Sequence, residues 1–250
     1  MWKSWKKLYG VFMLWTSIKC LHRFTNLDDV VPVYDSMVYG IHYSRLAVVP
    51  ALFFALMMTL NFKYKWSAVW FAFFYGYCAH LDIKFYNNHY YLEALLSFII
   101  GVSKPLNEKH NVVRMILMVY FFAGLAKLDY EWVGGDFMRG KLAQAGFFKL
   151  VPSVLCQSVA ILFSLGGIVV DIGAAFTLSS RNTRVRFWGI LMTSCFHVTN
   201  KLLFGIGLFP WMMLCSNVLF VKPLRKRHWA QICLTMKIVF HSFLLLLLLV

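Results

Sequence analysis

Carboxylates are scarce in this chain. Ten Asp and Glu stand against 25 Lys and Arg in 250 residues, and only 14% of positions are charged. Those charges gather in short clusters between apolar runs instead of spreading over a surface. With 60% hydrophobic residues, 18% aromatic residues and a positive mean hydropathy, no soluble domain fits in what remains. An internal repeat, a low-complexity linker and a clear boundary are also missing, so residues 1–250 read as one transmembrane domain. The six cysteines show no C-x-x-C or metal spacing and lie in or beside apolar runs. They read as small core hydrophobes. The eight histidines contain no HxxxH or HxxHH cluster, which argues against a di-iron oxygenase of the desaturase kind, and no metal is expected. A net charge of +15 would suit a nucleic-acid partner only on a soluble basic face, and there is none.

What is present is a series of apolar runs. Nine candidate spans can be drawn, at 8–21, 46–62, 66–80, 89–102, 113–127, 154–178, 187–200, 202–221 and 229–250. The fold class is therefore an all-α polytopic membrane protein with about nine transmembrane or partly re-entrant helices. The first, third, fourth and seventh spans fall short of the roughly 20 residues a crossing needs. The first, after Lys3, Lys6 and Lys7, also reads as an interfacial helix or an uncleaved signal-anchor, since no small-residue cleavage site follows it.

Orientation follows from the charges. With the N-terminus cytoplasmic, loops on that side carry Lys63 and Lys65, then Lys104, Lys109 and Arg114, then Arg181, Arg184 and Arg186, then Lys222, Arg225, Lys226 and Arg227. The opposite loops hold Asp28, Asp29, Asp35, Asp82, Asp129, Glu131 and Asp136. The positive-inside rule is obeyed at every loop, and the basic loops can also touch anionic head groups.

This topology places several polar groups at helix ends on one membrane side. Asn88 and His89 open the fourth span, Lys127 closes the fifth, and His197 and Asn200 close the seventh. Intramembrane polar residues are costly and point to function. Lys127 leans back over Ala123 and Gly124, which predicts a notch with room for a flat ligand beneath an otherwise unpaired amine. An amine against apolar surroundings loses solvation for its charged form and can act as a base. The alternative is a lysine snorkelling to the membrane surface. Glu93, one turn after His89, either orients that imidazole or snorkels. Asp171, deep in the sixth span, reads as structural, pairing with a buried cation or capping a kink.

The segments YNNHYYL (86–92), YFFAGLAKLDYEWVGG (120–135), GGIVVDIGAAF (166–176) and CFHVTNKLLFGIGLF (195–209) resemble the vitamin K-dependent gamma-glutamyl carboxylases. They resemble equally the relatives of these enzymes that share the horizontally transferred transmembrane domain. The similarity covers about residues 45–223. It implies a lyase-class membrane enzyme of the endoplasmic reticulum with a lumenal active site. Lys127 would be the base that deprotonates vitamin K hydroquinone, and His89 would support that step. Asn88 and His197 would lie near the quinone pocket. Beside that resemblance, Asn200 at its helix end, Gly124 in the notch and an aromatic wall of Tyr120, Phe121 and Phe122 read from the residues themselves as further pocket lining, the aromatics serving equally as plain membrane packing. Oxygen and carbon dioxide would be co-substrates, and a glutamate-containing protein would be carboxylated as the vitamin leaves as the epoxide.

A hydroquinone proton, like a phenol's, has a pKa of about 10, which a neutral amine matches and a carboxylate does not. Two departures stand out. Animal carboxylases usually carry a second lysine where this chain has Ala126. The family's large lumenal C-terminal domain is also absent from the 250 residues, so the epoxidation half-reaction alone is one expectation. Other readings are a quinone or lipid carrier, and an inactive membrane partner of a full-length carboxylase.

Overall fold

A computed structural model describes residues 2–25, 38–81, 88–204 and 209–221. Every regular element among the described residues is a helix. The chain forms two compact units, Met1–Val112 and Val113–Val250.

The first unit contains α1 (Trp2–Thr25), α2 (Val38–Thr59), α3 (Tyr64–Leu81) and α4 (Asn88–Val102). Successive helices pack on one another in chain order. A glycine sets how closely α1 approaches α2. A Cβ on Gly10 would lie 2.7 Å from the backbone nitrogen of Thr59 and 2.9 Å from the carbonyl carbon of Met58. Backbone cannot swing aside as a side-chain tip can. Gly10→Ala should therefore destabilise the protein by about 1–3 kcal/mol through overpacking. Gly76→Ala, whose Cβ would meet only Ala94 at 3.7 Å, should be near neutral, and unfolding midpoints of the two variants in detergent check the contrast.

The interior of this unit is polar in places where a soluble bundle would be apolar. The Tyr9 hydroxyl on α1 donates to the backbone carbonyl of Glu93 at 2.7 Å and lies 2.9 Å from Ser97 Oγ. From α3, the Tyr75 hydroxyl donates to the Glu93 carboxylate at 2.7 Å. Glu93 is buried, so it is not a snorkelling acid. Its carboxylate joins α3 to α4. Near the start of α1, Lys6 pairs with Glu108 at 3.3 Å, and its carbonyl accepts from the Tyr64 hydroxyl. The outward faces are apolar at three- and four-residue spacing. Leu8, Val11, Trp15 and Ile18 are exposed on α1, and Val49, Phe53, Leu56 and Leu60 on α2.

In the second unit, α5 (Glu108–Ala126, its first turn in the first unit) is followed by α6 (Tyr130–Val133) and α7 (Asp136–Gln144). After these come α8 (Cys156–Ser179), α9 (Thr183–Phe204) and α10 (Phe209–Ser216). α8 packs on α7 and α9, and α9 on α10. The stretch Asp129 to Leu150, between the fifth and sixth candidate spans, is mostly folded: α6 and α7 occupy it, and Met138 and Leu142 of α7 are buried against Ala160.

Arg186 corrects another reading. It lies in α9 and not in a loop, and it is buried. Its guanidinium donates to the carbonyls of Ser180 at 2.8 Å and of Arg181 and Val221 at 3.4 Å. Ser180 follows the end of α8, where helix carbonyls lack intrahelical partners and the dipole favours a cation.

One helical stretch among the described residues, Ser153–Ser179, is long and apolar enough to cross a membrane, with a mean hydropathy of 2.2. Ala47–Thr59, His89–Val102 and Phe209–Phe220 are shorter apolar helices. Helices extend past two of the short candidate runs. The first is 24 residues long as α1, and the seventh is 22 as α9. The fourth remains 15 residues as α4. The ninth span at 229–250, Cys233, Asp28, Asp29, Asp35, Asp82, Lys222, Arg225, Lys226 and Arg227 lie outside the described residues.

Candidate functional site

The site is built where α5 stops. The Lys127 N–H reaches back to the Gly124 carbonyl at 3.3 Å and the Leu128 N–H to Leu125 at 3.0 Å. These i→i−3 bonds tighten and end the helix. Asp129 then caps α6, its side chain accepting from the Trp132 N–H at 2.9 Å. That cap fixes Trp132. Its indole N–H donates to the Ser164 carbonyl on α8 at 3.3 Å, and its ring lies 4.8 Å from Lys127 Nζ. The positive φ of Gly135, +83°, turns the chain from α6 into α7 with its Cα side against Ile161. An L side chain would be strained there and would meet Ile161 backbone at 2.9 Å.

Lys127 is not an unpaired amine. It forms an ion pair and hydrogen bond with Asp171 of α8, with the Lys127 side chain 19% exposed and that of Asp171 5%. Phe196 of α9 presents its ring 5.5 Å from the same ammonium. Gly167 lies one turn before Asp171, and its missing Cβ would sit 3.9 Å from Lys127 Nζ. The amine therefore lies along a face of α8 with a carboxylate at one end, a glycine beside it and two aromatic faces around it. Such an arrangement orients a cation and shields it from most of the solvent.

The expected notch over Gly124 is filled. A Cβ there would come within 2.5 Å of Ile172 Cγ1 and 3.0 Å of the Ile172 backbone nitrogen. α8 occupies the space that the sequence reading left for a ligand. Close approach through small residues is the ordinary use of glycine between apolar helices.

A second pair lies nearby in sequence. The Tyr120 hydroxyl and His197 Nε2 are 2.6 Å apart and both residues are buried. The His197 ring also meets Phe209. Since Phe196 faces Lys127 and His197 faces Tyr120, adjacent residues of α9 serve the two pairs. Asn200, one turn beyond His197, is half-buried. Among the described residues it joins neither pair by a hydrogen bond. His89 is half-buried in the first turn of α4, in the first unit. Asn88 begins that helix, and its side chain lies outside the described residues. Sequence reasoning offered Asp171 a buried cation as one alternative but did not identify it as Lys127, and it missed the roles of Gly167, Trp132 and Phe196. The four-residue spacing of Gly167 and Asp171 was the available signal.

Ser164 adds a further group. Its Oγ is buried without a hydrogen-bond partner, and it lies three residues before Gly167 and seven before Asp171, on the same side of α8. Among the described residues no group of three His, Cys, Asp or Glu is placed to hold a metal ion.

The fold and site thus define an all-helical protein whose apolar helices enclose an ion-paired lysine between aromatic rings. The chain belongs to the HTTM domain family, whose model matches residues 5–109 and 105–224. No solved structure matches it.

Proposed function

We propose that this chain is a multi-pass membrane enzyme that oxidises vitamin K hydroquinone, with Lys127 as its base. The HTTM domain is associated with the vitamin K-dependent carboxylase family. The observation that carries the proposal is the Lys127 amine held between Asp171, Trp132 and Phe196. The multi-pass reading is supported by polarity: apolar residues cover the outward helix faces, while Glu93, Asp171, Arg186 and His197 are buried. A soluble bundle arranges these the other way.

The residues present suit a reduced naphthoquinone. Phe196 offers an aromatic face, Trp132, stacked on Phe137 at 4.7 Å, backs the amine, Lys127 offers a charged donor, and the Ser164 hydroxyl is a buried group still lacking a partner. When bound, the hydroquinone would supply a phenolic proton and the electrons that reduce oxygen. Lys127 would accept that proton at Nζ. To do so it must first release its own, and Asp171 is placed to receive it. With most of the solvent excluded, the ion pair and the neutral hydrogen-bonded pair lie closer in energy than in water. Asp171 is then a positioning residue as well as the proton's store. The Tyr120–His197 pair would stabilise developing negative charge by hydrogen bonding. The family resemblance would have the site face the lumen of the endoplasmic reticulum.

Lys127→Arg separates charge from basicity. Arginine keeps a cation for Asp171 but is not deprotonated in proteins. Purified protein given reduced vitamin K and oxygen should form epoxide, and the arginine variant should lose about 100-fold or more of that rate, the span of a general base. Equal rates would sink the base assignment. Glutamate carboxylation is expected at background. The Asp129–Leu150 stretch, folded as α6 and α7 with Met138 and Leu142 buried against Ala160, offers little free chain to a glutamate peptide. Efficient incorporation of labelled carbon dioxide into a short glutamate peptide would overturn that part.

A further inference from the structure

We infer that the first unit carries an anionic phospholipid site at the turn between α2 and α3. Among the described residues, non-glycine positive φ occurs only here, at Asn61 (56°) and Lys63 (40°). Left-handed backbone is unusual for lysine and is maintained only where the surroundings demand it. A groove of about 850 Å³ opens beside this turn, lined among others by Phe53, Phe62, Lys63, Lys65, Trp66 and Trp70. That volume is in the range of small-ligand sites, about 300–1,000 Å³.

The lining is of two kinds. Phe53, Phe62, Trp66 and Trp70 are exposed aromatics. The two lysines supply charge, and no carboxylate is among the lining residues. Lys65 is committed to the Ser103 carbonyl at the end of α4. Lys63 is exposed, its ammonium 5.8 Å from the Phe62 ring. The first turn of α3 contains no acidic residue, so its amide ends add positive potential beside Lys63. Cationic at the turn and apolar along its walls, the groove complements a molecule that is anionic at one end and apolar along its length. A bilayer phospholipid with an anionic head group meets both conditions, its phosphate at Lys63 and an acyl chain against Phe53 and Trp70.

This site rests on the multi-pass membrane reading and is independent of the quinone chemistry. The test uses the full chain in phosphatidylcholine nanodiscs, with tryptophan emission quenched by brominated phosphatidylglycerol or brominated phosphatidylcholine. Wild type should be quenched by the anionic lipid at about fivefold lower mole fraction, the scale of one lysine at a membrane surface. Lys63→Asn should abolish that preference, because asparagine tolerates left-handed backbone and leaves the turn intact. Lys63→Arg should retain it, and Trp66→Phe with Trp70→Phe should remove the quenched component. Equal quenching by the two lipids, or a preference that survives Lys63→Asn, would overturn the site. Failure of the chain to enter nanodiscs would overturn the membrane reading itself, and the site with it.

Discussion

Removing Lys127 alone should cost more stability than removing Lys127 and Asp171 together. Lys127→Met strands a carboxylate whose side chain is 5% exposed. Breaking a buried pair by deleting one partner typically costs about 3–5 kcal/mol, because the remaining charge is uncompensated. Lys127→Met with Asp171→Leu removes both charges and leaves apolar groups of similar volume. Such replacements are often neutral or stabilising. Unfolding midpoints in detergent for wild type, both single variants and the double variant complete a mutant cycle. With the double variant near neutral, the coupling should approach the sum of the two single-variant costs. Epoxide formation should be absent in the stable double variant, so activity and stability part company. Additive single costs would mean that the two side chains do not depend on each other.

Gly124→Val should be the most damaging single substitution that leaves every charge in place. Its new atoms would be driven into Ile172 Cγ1 at 2.5 Å and the Ile172 backbone nitrogen at 3.0 Å. A rotamer change can clear the first clash but not the second, so α8 must move away from α5. Asp171 is the neighbour of Ile172, and its ion pair would be lost with the packing. Overpacking of roughly 1–3 kcal/mol is then added to part of the pair's contribution. Ile172→Ala should rescue Gly124→Ala only partly, because the backbone nitrogen remains. Gly166→Ala is the control, since nothing lies within 4 Å of its added Cβ. It should be neutral or slightly stabilising through helix propensity. Equal loss of stability in Gly124→Val and Gly166→Ala would remove the packing argument.

The helices themselves were legible in the sequence, because long apolar runs bounded by charged clusters leave few alternatives. Their ends were less so. α9 starts at Thr183 because the Asn182 side chain accepts from the Arg184 N–H at 2.9 Å. The apolar pattern alone begins several residues later. Lys127 was legible as a special residue from its helix end and its family resemblance, but its partner was not. Asp171 lies 44 residues away, and only the crossing of α5 and α8 brings the two together. Gly124 misled for a related reason. Viewed on one helix a glycine is empty space, whereas between helices it is where a neighbour fits. Arg186 misled because a charged residue in a basic cluster is assigned to a loop until a ring of helix-end carbonyls is seen around it. Tyr75 and Glu93 likewise meet only because α3 and α4 pack together.

The bond from Tyr9 to Glu93 has a consequence in time. Its partners are 84 residues apart in the chain, so at about 5–20 residues per second the ribosome needs roughly 4–17 s to deliver the second after the first. Throughout that interval α1 exists without the acceptor that its buried tyrosine needs. The first helix made is therefore among the last in its unit to be finished. A nascent chain arrested before residue 93 should carry α1 in a protease-sensitive, chaperone-accessible form, and release of the arrest should lock it.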